Sequence, residues 1–501
     1  MAMVFATTRA AAVLAAVFLA LPAYAAQGGP FAATDRIFEE FRLDAHAPGL
    51  VYGVVENGKL VHVKAFGVQD IKSKRPVTPD SLFRIASMTK AFTALTLVKL
   101  RDDGLIRFDA LAEDYVPELR GWRYPTLDSP RVRVRDLLTH TGGFVTDDPW
   151  GDRQTPLPED DFTRLLETGV PFTRAPGMAY EYSNFGYALL GRIIANAGKR
   201  PYAEAVQSAL LTPLGMSASG LIVANAPQEM RALGYRWEND MWIPEPDLGH
   251  GSFSSIGAMQ VSANDYAKWV AFLLSAWPPR DDPDNGPVKR ASVRELAQGV
   301  GFVRARPRPS RSGGQGCLQP ASYSMGMNVT VDCELGLNLS HGGGYPGYGS
   351  HMLLFPERGV GLFVFANRTY AGPTAAIWDA AVALHEAGRL GETAPPPLSG
   401  HLAGAYKVAG EVYTAGNVKI AGASLAMNFL MDKAAETWAR DLARLKAGAG
   451  DCDTGAAVTP TGALSGTFNW RCTHGRIRGS ILLSPDTPPR IQRLDFAVVT
   501  P

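Results

Sequence analysis

Apolar and polar positions alternate from Leu50 to Val68 around Gly53 and Asn57-Gly58. Period-two alternation around an Asn-Gly pair predicts a β-hairpin closed by a tight turn. The period then changes. Phe92, Leu95, Val98 and Leu100 recur at near-helical spacing, and Gly104 supplies a stop. This predicts an apolar helix, with Ser81–Ile85 as a short extended lead-in. Between Leu105 and Leu274, helical patterns such as Tyr187–Ala197 and Tyr266–Leu274 are separated by loops rich in Gly, Pro and Asp. Gly301 to Gly316 is poor in apolar residues and predicts a flexible excursion. From Tyr323 the strand pattern returns. Met352–Pro356 and Val360–Ala366 flank Glu357-Arg358-Gly359 as a second hairpin, and Trp378–Ala387 reads as a closing helix.

Strands near both ends of this stretch must share one sheet, with helices packed on it. The expected class is therefore α/β in the α+β sense: an antiparallel sheet flanked by helices, carrying a mainly helical insertion. Pro395-Pro396-Pro397 marks a linker. Beyond it, a helical stretch near Met431–Lys446 and strand-like runs at Gly466–Arg471 and Ile477–Leu483 predict a small α+β or barrel-like module. The expected division is 1–26, 27–392 and 398–501. No internal repeats are evident.

The first division is a targeting segment. Arg9 precedes an apolar run from Ala10 to Leu21, and Ala23-Tyr24-Ala25 fits a small-x-small cleavage site. The run is short for a membrane span. The expectation is export to the periplasm or beyond, with cleavage near Ala25 or Ala26 and no stable membrane span afterwards. An uncleaved anchor is the alternative. The four cysteines agree with an oxidising compartment. They permit three pairings, and short loops favour Cys317–Cys333 and Cys452–Cys472. Four buried thiols are the rival reading. The wide spacing and the absence of a histidine cluster argue against a metal site. At 46% hydrophobic, 19% charged and a formal charge of +1, nothing points to a nucleic-acid partner.

The chemistry begins at Ser87-Met88-Thr89-Lys90. Residues three apart share a helix face, so the Lys90 amine can reach the Ser87 hydroxyl. A serine is a weak nucleophile until a neighbour takes its proton. A helix start also offers unpaired N–H groups to developing negative charge. Alone, the pair is better read as the cap of a core helix with a solvated lysine. Tyr182-Ser183-Asn184 follows in a turn-rich stretch. If it is extended, Tyr182 and Asn184 point the same way, the phenol toward the serine and the amide toward a substrate. His341-Gly342-Gly343-Gly344 lies beside the returning strands. Its glycines permit close backbone approach, so a substrate can line up there with the Gly344 N–H aimed at its carbonyl oxygen.

These three elements, in this order, resemble the serine β-lactamase and penicillin-binding-protein superfamily, nearest its class C β-lactamase, DD-peptidase and related esterase branch. The likeness extends to Phe83–Ala94, to Leu137-Leu138-Thr139-His140-Thr141-Gly142-Gly143, to Pro213-Leu214-Gly215-Met216 and to Gly343–Phe355. It covers roughly residues 33–390 and leaves the C-terminal module outside. It implies a β-lactamase/transpeptidase-like fold and acyl transfer through a covalent intermediate on Ser87. Lys90 and Tyr182 would share the proton traffic. The N–H groups of Ser87 and Gly344 would hold the oxyanion, and Asn184, His341 and Gly343 would contact a small-molecule or peptide substrate. No metal or organic cofactor is implied.

One departure matters. Many β-lactamases of this branch carry Lys-Thr-Gly where this chain has His341-Gly342-Gly343. Histidine replaces a fixed charge by a conditional one, and the threonine hydroxyl that helps to hold a substrate carboxylate is missing. Histidine there also occurs in relatives acting on D-amino-acid peptides or simple esters. The resemblance thus leaves D-amino-acid peptides, β-lactams and esters open as acyl donors. A binder of cell-wall fragments that has lost catalysis is the competing reading from another class.

Overall fold

Val360–Ala366 is apolar at almost every position and buried along its whole length. Tyr348–Phe355 is buried in the same way. Strands of this kind sit at the middle of a sheet covered on both faces. The computed structural model describes residues 29–313, 317–393 and 395–499. The expected export segment and its cleavage site lie outside the described residues.

The main sheet has nine strands. In chain order they are Gly49–Glu56 (β1), Lys59–Asp70 (β2), Arg75–Pro76 (β3), Val300–Pro307 (β4), Leu318–Tyr323 (β5), Asn328–Asp332 (β6), Gly336–Tyr345 (β7), Tyr348–Phe355 (β8) and Val360–Ala366 (β9). Their spatial order is β3-β2-β1-β9-β8-β7-β6-β5-β4. The N-terminal hairpin turns at Asn57-Gly58, and β1 pairs with β9 from Leu50↔Ala366 to Glu56↔Val360. That single antiparallel pairing joins the two ends of the domain.

Each face of the sheet buries its own apolar cluster. On one face lie Ala32–Asp44 (α1) and Thr374–Glu386 (α5), packed over Leu50, Tyr52, Leu353 and Leu362. On the other lies the larger cluster, built around Thr89–Asp102 (α2), Asn184–Gly198 (α3) and Ala263–Leu274 (α4). Every residue of α2 from Thr89 to Val98 is buried. A helix buried on every side lies in an interior, its few polar groups paired there, and here Phe92 stacks on Trp269 of α4 with ring centroids 3.9 Å apart.

One expectation fails. The stretch Gly301 to Gly316, read as a flexible excursion, opens within a strand: Val300–Pro307 forms β4 and pairs with β5 from Val300↔Tyr323 to Pro307↔Leu318. An edge strand exposed along nearly its whole length needs no apolar alternation, so the periodicity carried no signal.

After the prolines comes a small C-terminal sheet domain. Thr459–Gly462 (β10), Ser465–Cys472 (β11), Gly475–Leu483 (β12) and Ile491–Val499 (β13) pair in sequence order. Gly400–Ala415 (α6) and Ala435–Ala449 (α7) bury Leu402, Tyr413 and Leu442 against Phe468, Trp470 and Ile477. The helix expected from Met431 begins at Ala435, after a separate turn at Phe429–Asp432. Bonds join Cys317 to Cys333 beside the main sheet and Cys452 to Cys472 in the C-terminal sheet.

Candidate active site

Ser87 sits just ahead of α2, at the helix start. It lies in a single 3₁₀ turn, Ala86–Met88, that leads into the helix. Ala86 adopts φ +50°, a conformation costly for a residue with a side chain. The sheet holds the turn in place. A side chain at Gly343 would strike the Ile85 carbonyl and the Ser350 hydroxyl and crowd Ala86. Glycine at 343 is therefore what lets β7 press against the nucleophile turn.

Lys90 is fully buried. Its Nζ lies 3.1 Å from Ser87 Oγ, 2.7 Å from Asn184 Oδ1 and 3.0 Å from the Ile256 carbonyl. Two of these partners only accept. A neutral amine satisfies both with its two N–H groups and turns its lone pair to Ser87. Burial pulls the Lys90 pKa down to about 8, against the pull of Asp148, Asp152 and Asp147. A base poised near 8 suits proton abstraction close to neutrality.

The Tyr182 hydroxyl donates to Ser87 Oγ at 2.9 Å, and Lys90 Nζ lies 4.9 Å from the centre of its ring. Burial, then Asp148, holds this phenol well above the ordinary tyrosine range, so it stays protonated and able to donate. Hydroxyl, amine and phenol, remote in sequence, thus meet at one oxygen.

Several groups lie elsewhere than expected. Asn184 is not on the cleft wall. It is fully buried as the first residue of α3, its Oδ1 bonded to Lys90 and its Nδ2 to Asp148. It links the amine to a carboxylate. Asp147 fixes this start of α3 by accepting from the Asn184 and Phe185 N–H groups at 2.6 and 2.7 Å. Gly343 faces the nucleophile turn, whereas His341, Gly342 and Gly344 line the cleft. His341 is buried. Its Nδ1 donates to the Gly342 carbonyl at 2.6 Å, so Nε2 accepts from Tyr323 at 3.1 Å. Burial and Lys90 pull its pKa down to about 4. The conditional charge expected at this position is therefore absent at neutral pH. A Cβ at Gly342 would lie 3.1 Å from His351 Nδ1.

Other groups had no place in the sequence reading of the site. His140, with φ +55°, packs its ring 4.3 Å from that of Tyr182 and accepts from the Ser183 N–H at 3.1 Å. Its only signal was a framework stretch, Leu137–Gly143. The loop Asp147–Asp152 supplies one wall of the cleft. Asp152 is 2% exposed and its Oδ2 accepts from the Tyr370 hydroxyl at 3.0 Å. Burial, then Asp148, pushes its acid up to about 7. The cleft measures about 340 Å³ and is lined by Ser87, Thr146, Asp148, Asp152, Tyr182, His341, Gly342, Gly344 and Tyr370.

Comparison with known proteins places this geometry. The family model described as Beta-lactamase matches residues 34–387. Protein flp of Staphylococcus aureus (strain COL) is 28% identical over 336 residues, which is 66% of this chain and 62% of that protein. The chain thus spans less than two thirds of that relative's length. Esterase EstB of Burkholderia gladioli is 29% identical over 238 residues, 44% of this chain and 59% of its own. Among solved structures, an octameric penicillin-binding protein homologue from Pyrococcus abyssi superposes with a TM-score of 0.59 at 18% identity, covering 93% of this chain and 98% of its own. A class C beta lactamase from Rhodobacter sphaeroides superposes at 0.53 with 22% identity, covering 71% and 98%. Both share the fold.

Proposed function

Since this chain belongs to the beta-lactamase family, we propose that it is an exported serine hydrolase that forms an acyl-enzyme on Ser87. The observation that carries the reading is the convergence of Lys90 Nζ and the Tyr182 hydroxyl on Ser87 Oγ, at 3.1 and 2.9 Å. Neutral Lys90 takes the hydroxyl proton as Ser87 Oγ bonds to the substrate carbonyl carbon. The N–H groups of Ser87 and Gly344 hold the oxyanion, a contribution commonly worth about 2.7–4 kcal/mol of barrier per donor. Collapse breaks the bond to the leaving group, which takes the Tyr182 proton, and Lys90 gives the proton it took from Ser87 to the Tyr182 phenolate. Water deprotonated by the same groups then releases the acid and restores Ser87.

Neutral His341 and the missing threonine weaken any grip on a substrate carboxylate, which favours D-amino-acid peptides or esters over β-lactams. Two disulfides support an extracytoplasmic home. No helix among the described residues is long and apolar enough to cross a membrane. Residues 398–501 we read as a separate module joined by the proline linker.

The test is intact-mass analysis after exposure to a fluorophosphonate and to a reporter penicillin. A stoichiometric adduct with the fluorophosphonate, lost in Ser87→Ala, is the expected result. No adduct with either reagent would overturn the hydrolase reading in favour of a non-catalytic wall-fragment binder. A panel of nitrocefin, a D-alanyl dipeptide, a D-amino-acid amide and p-nitrophenyl butyrate then ranks the acyl donors.

A further inference from the structure

The cleft beside Ser87 has an asymmetric charge. Among the described residues that line it there is no arginine or lysine, while Asp148 and Asp152 both do so. Lys90 stands behind Ser87 with all its contacts used. Arg304 and Arg306 border a separate hollow of about 170 Å³ beyond Gly342.

Asp152 is built into the floor. Its Oδ2 is held by Tyr370, a tyrosine kept at φ +51° with its backbone N–H directed to the Tyr348 carbonyl at 3.1 Å. Its Oδ1 is buried with no hydrogen-bond partner among the described residues. A buried carboxylate oxygen without a donor is costly to maintain. A left-handed tyrosine is costly as well. Together they hold one acceptor ready at the wall of a reactive cleft.

The position of this acceptor fixes which part of a substrate meets it. Tyr182, the proton donor to the leaving group, lies on the His341 side, with ring centroids 6.3 Å apart. Asp152 lies on the Tyr370 side, and the Tyr370 ring packs where a side chain on Gly344 would project. The leaving group departs toward Tyr182, so the acyl portion points toward Asp152.

We propose, building on the hydrolase reading above, that Asp152, steadied by Tyr370 and flanked by Asp148 at the rim, selects acyl donors that carry a primary ammonium group on the acyl side of the scissile bond. The ammonium lies against the Asp152 carboxyl and its charge is matched by that group and Asp148. Acyl donors bearing a carboxylate at the same place meet repulsion instead, and neutral acyl chains leave Asp152 unpaired.

The experiment measures kcat/KM at pH 7 for the p-nitroanilides of D- and L-alanine, for their N-acetyl counterparts and for p-nitrophenyl butyrate. Whichever enantiomer is turned over should favour the free amine over the N-acetyl form by tenfold or more. That ratio should fall at least tenfold in Asp152→Asn and recover in part in Asp152→Glu. If Asp152→Asn does not fold, the wild-type ratio still decides the matter. A ratio at or below one overturns the proposal, and so does an unchanged ratio in folded Asp152→Asn. Ester hydrolysis with no turnover of the free-amine anilide overturns it too, while leaving the hydrolase reading intact. No ester hydrolysis and no fluorophosphonate adduct overturns both.

Discussion

Asp148→Asn isolates the electrostatics of the proposed base. Asp148 reaches Lys90 through one intervening amide, that of Asn184, so the two charges lie roughly 6 Å apart, worth about 3 kcal/mol at an effective dielectric of 20. Asp148 is exposed at the rim, and solvent reduces this to about 0.7–1.4 kcal/mol, or about 0.5–1 pKa unit. Removing a negative charge disfavours the ammonium form. The Lys90 pKa should therefore fall below about 8, and the neutral amine should persist to lower pH. The second-order rate of inactivation by an uncharged fluorophosphonate, followed from pH 5.5 to 9.5, reports this titration in the free enzyme. The ascending limb should move down by that amount, so that at pH 6.5 the variant reacts about three- to eightfold faster relative to its own plateau. Asp152, whose acid Asp148 raises, ionises at lower pH in the variant and, as an anion favouring the Lys90 ammonium, offsets part of the shift; Asp148 acts on Lys90 more strongly than Asp152 does, so the net movement stays downward. A limb that stays put or moves to higher pH, in a variant with unchanged melting, would refute the assignment of Lys90 as base.

Tyr182→Phe should lower kcat by about 10²–10⁴, measured with p-nitrophenyl butyrate, and full activity in this variant would remove the phenol from the proton path. Because the wild-type phenol is held above its ordinary range, the rate should keep its plateau to pH 10, whereas His341→Lys, by placing a cation near Tyr182, should bring a descending limb below that pH. An unmoved limb in the lysine variant argues against phenol ionisation as its origin. Gly343→Ala should drive β7 away from the nucleophile turn, costing about 1–3 kcal/mol in chemical denaturation and most of the labelling rate. A chain ending at residue 397 should fold and label at Ser87 if the C-terminal module is independent, and aggregation of that truncation would argue that the module is needed for folding.

Much of this fold could be read along the chain wherever burial is one-sided or complete. The Asn57-Gly58 hairpin, α2 and the β8–β9 pair follow from periodicity because their neighbours are apolar. The strand at residues 300–307 escaped because an exposed edge leaves no pattern. In the site, Ser87 and Lys90 were legible as a pair since a single turn of chain relates them. Asn184 was misplaced because its role depends on Asp147, which caps α3 from a distant loop and turns an extended reading into a helix start. Asp152 and Tyr370 left no local trace. Their meaning arises only where the 147–152 loop meets the segment after β9.

The crowding of position 342 by His351 bears on how new specificities can arise in this scaffold. Grafting a Lys-Thr-Gly triplet onto β7 requires threonine at 342, and its first side-chain atom already meets the His351 imidazole at 3.1 Å. Laboratory evolution toward β-lactam hydrolysis should therefore be contingent. The imidazole has to give by a few tenths of an ångström before threonine fits, so a shrinking change at His351 should raise what the triplet gains.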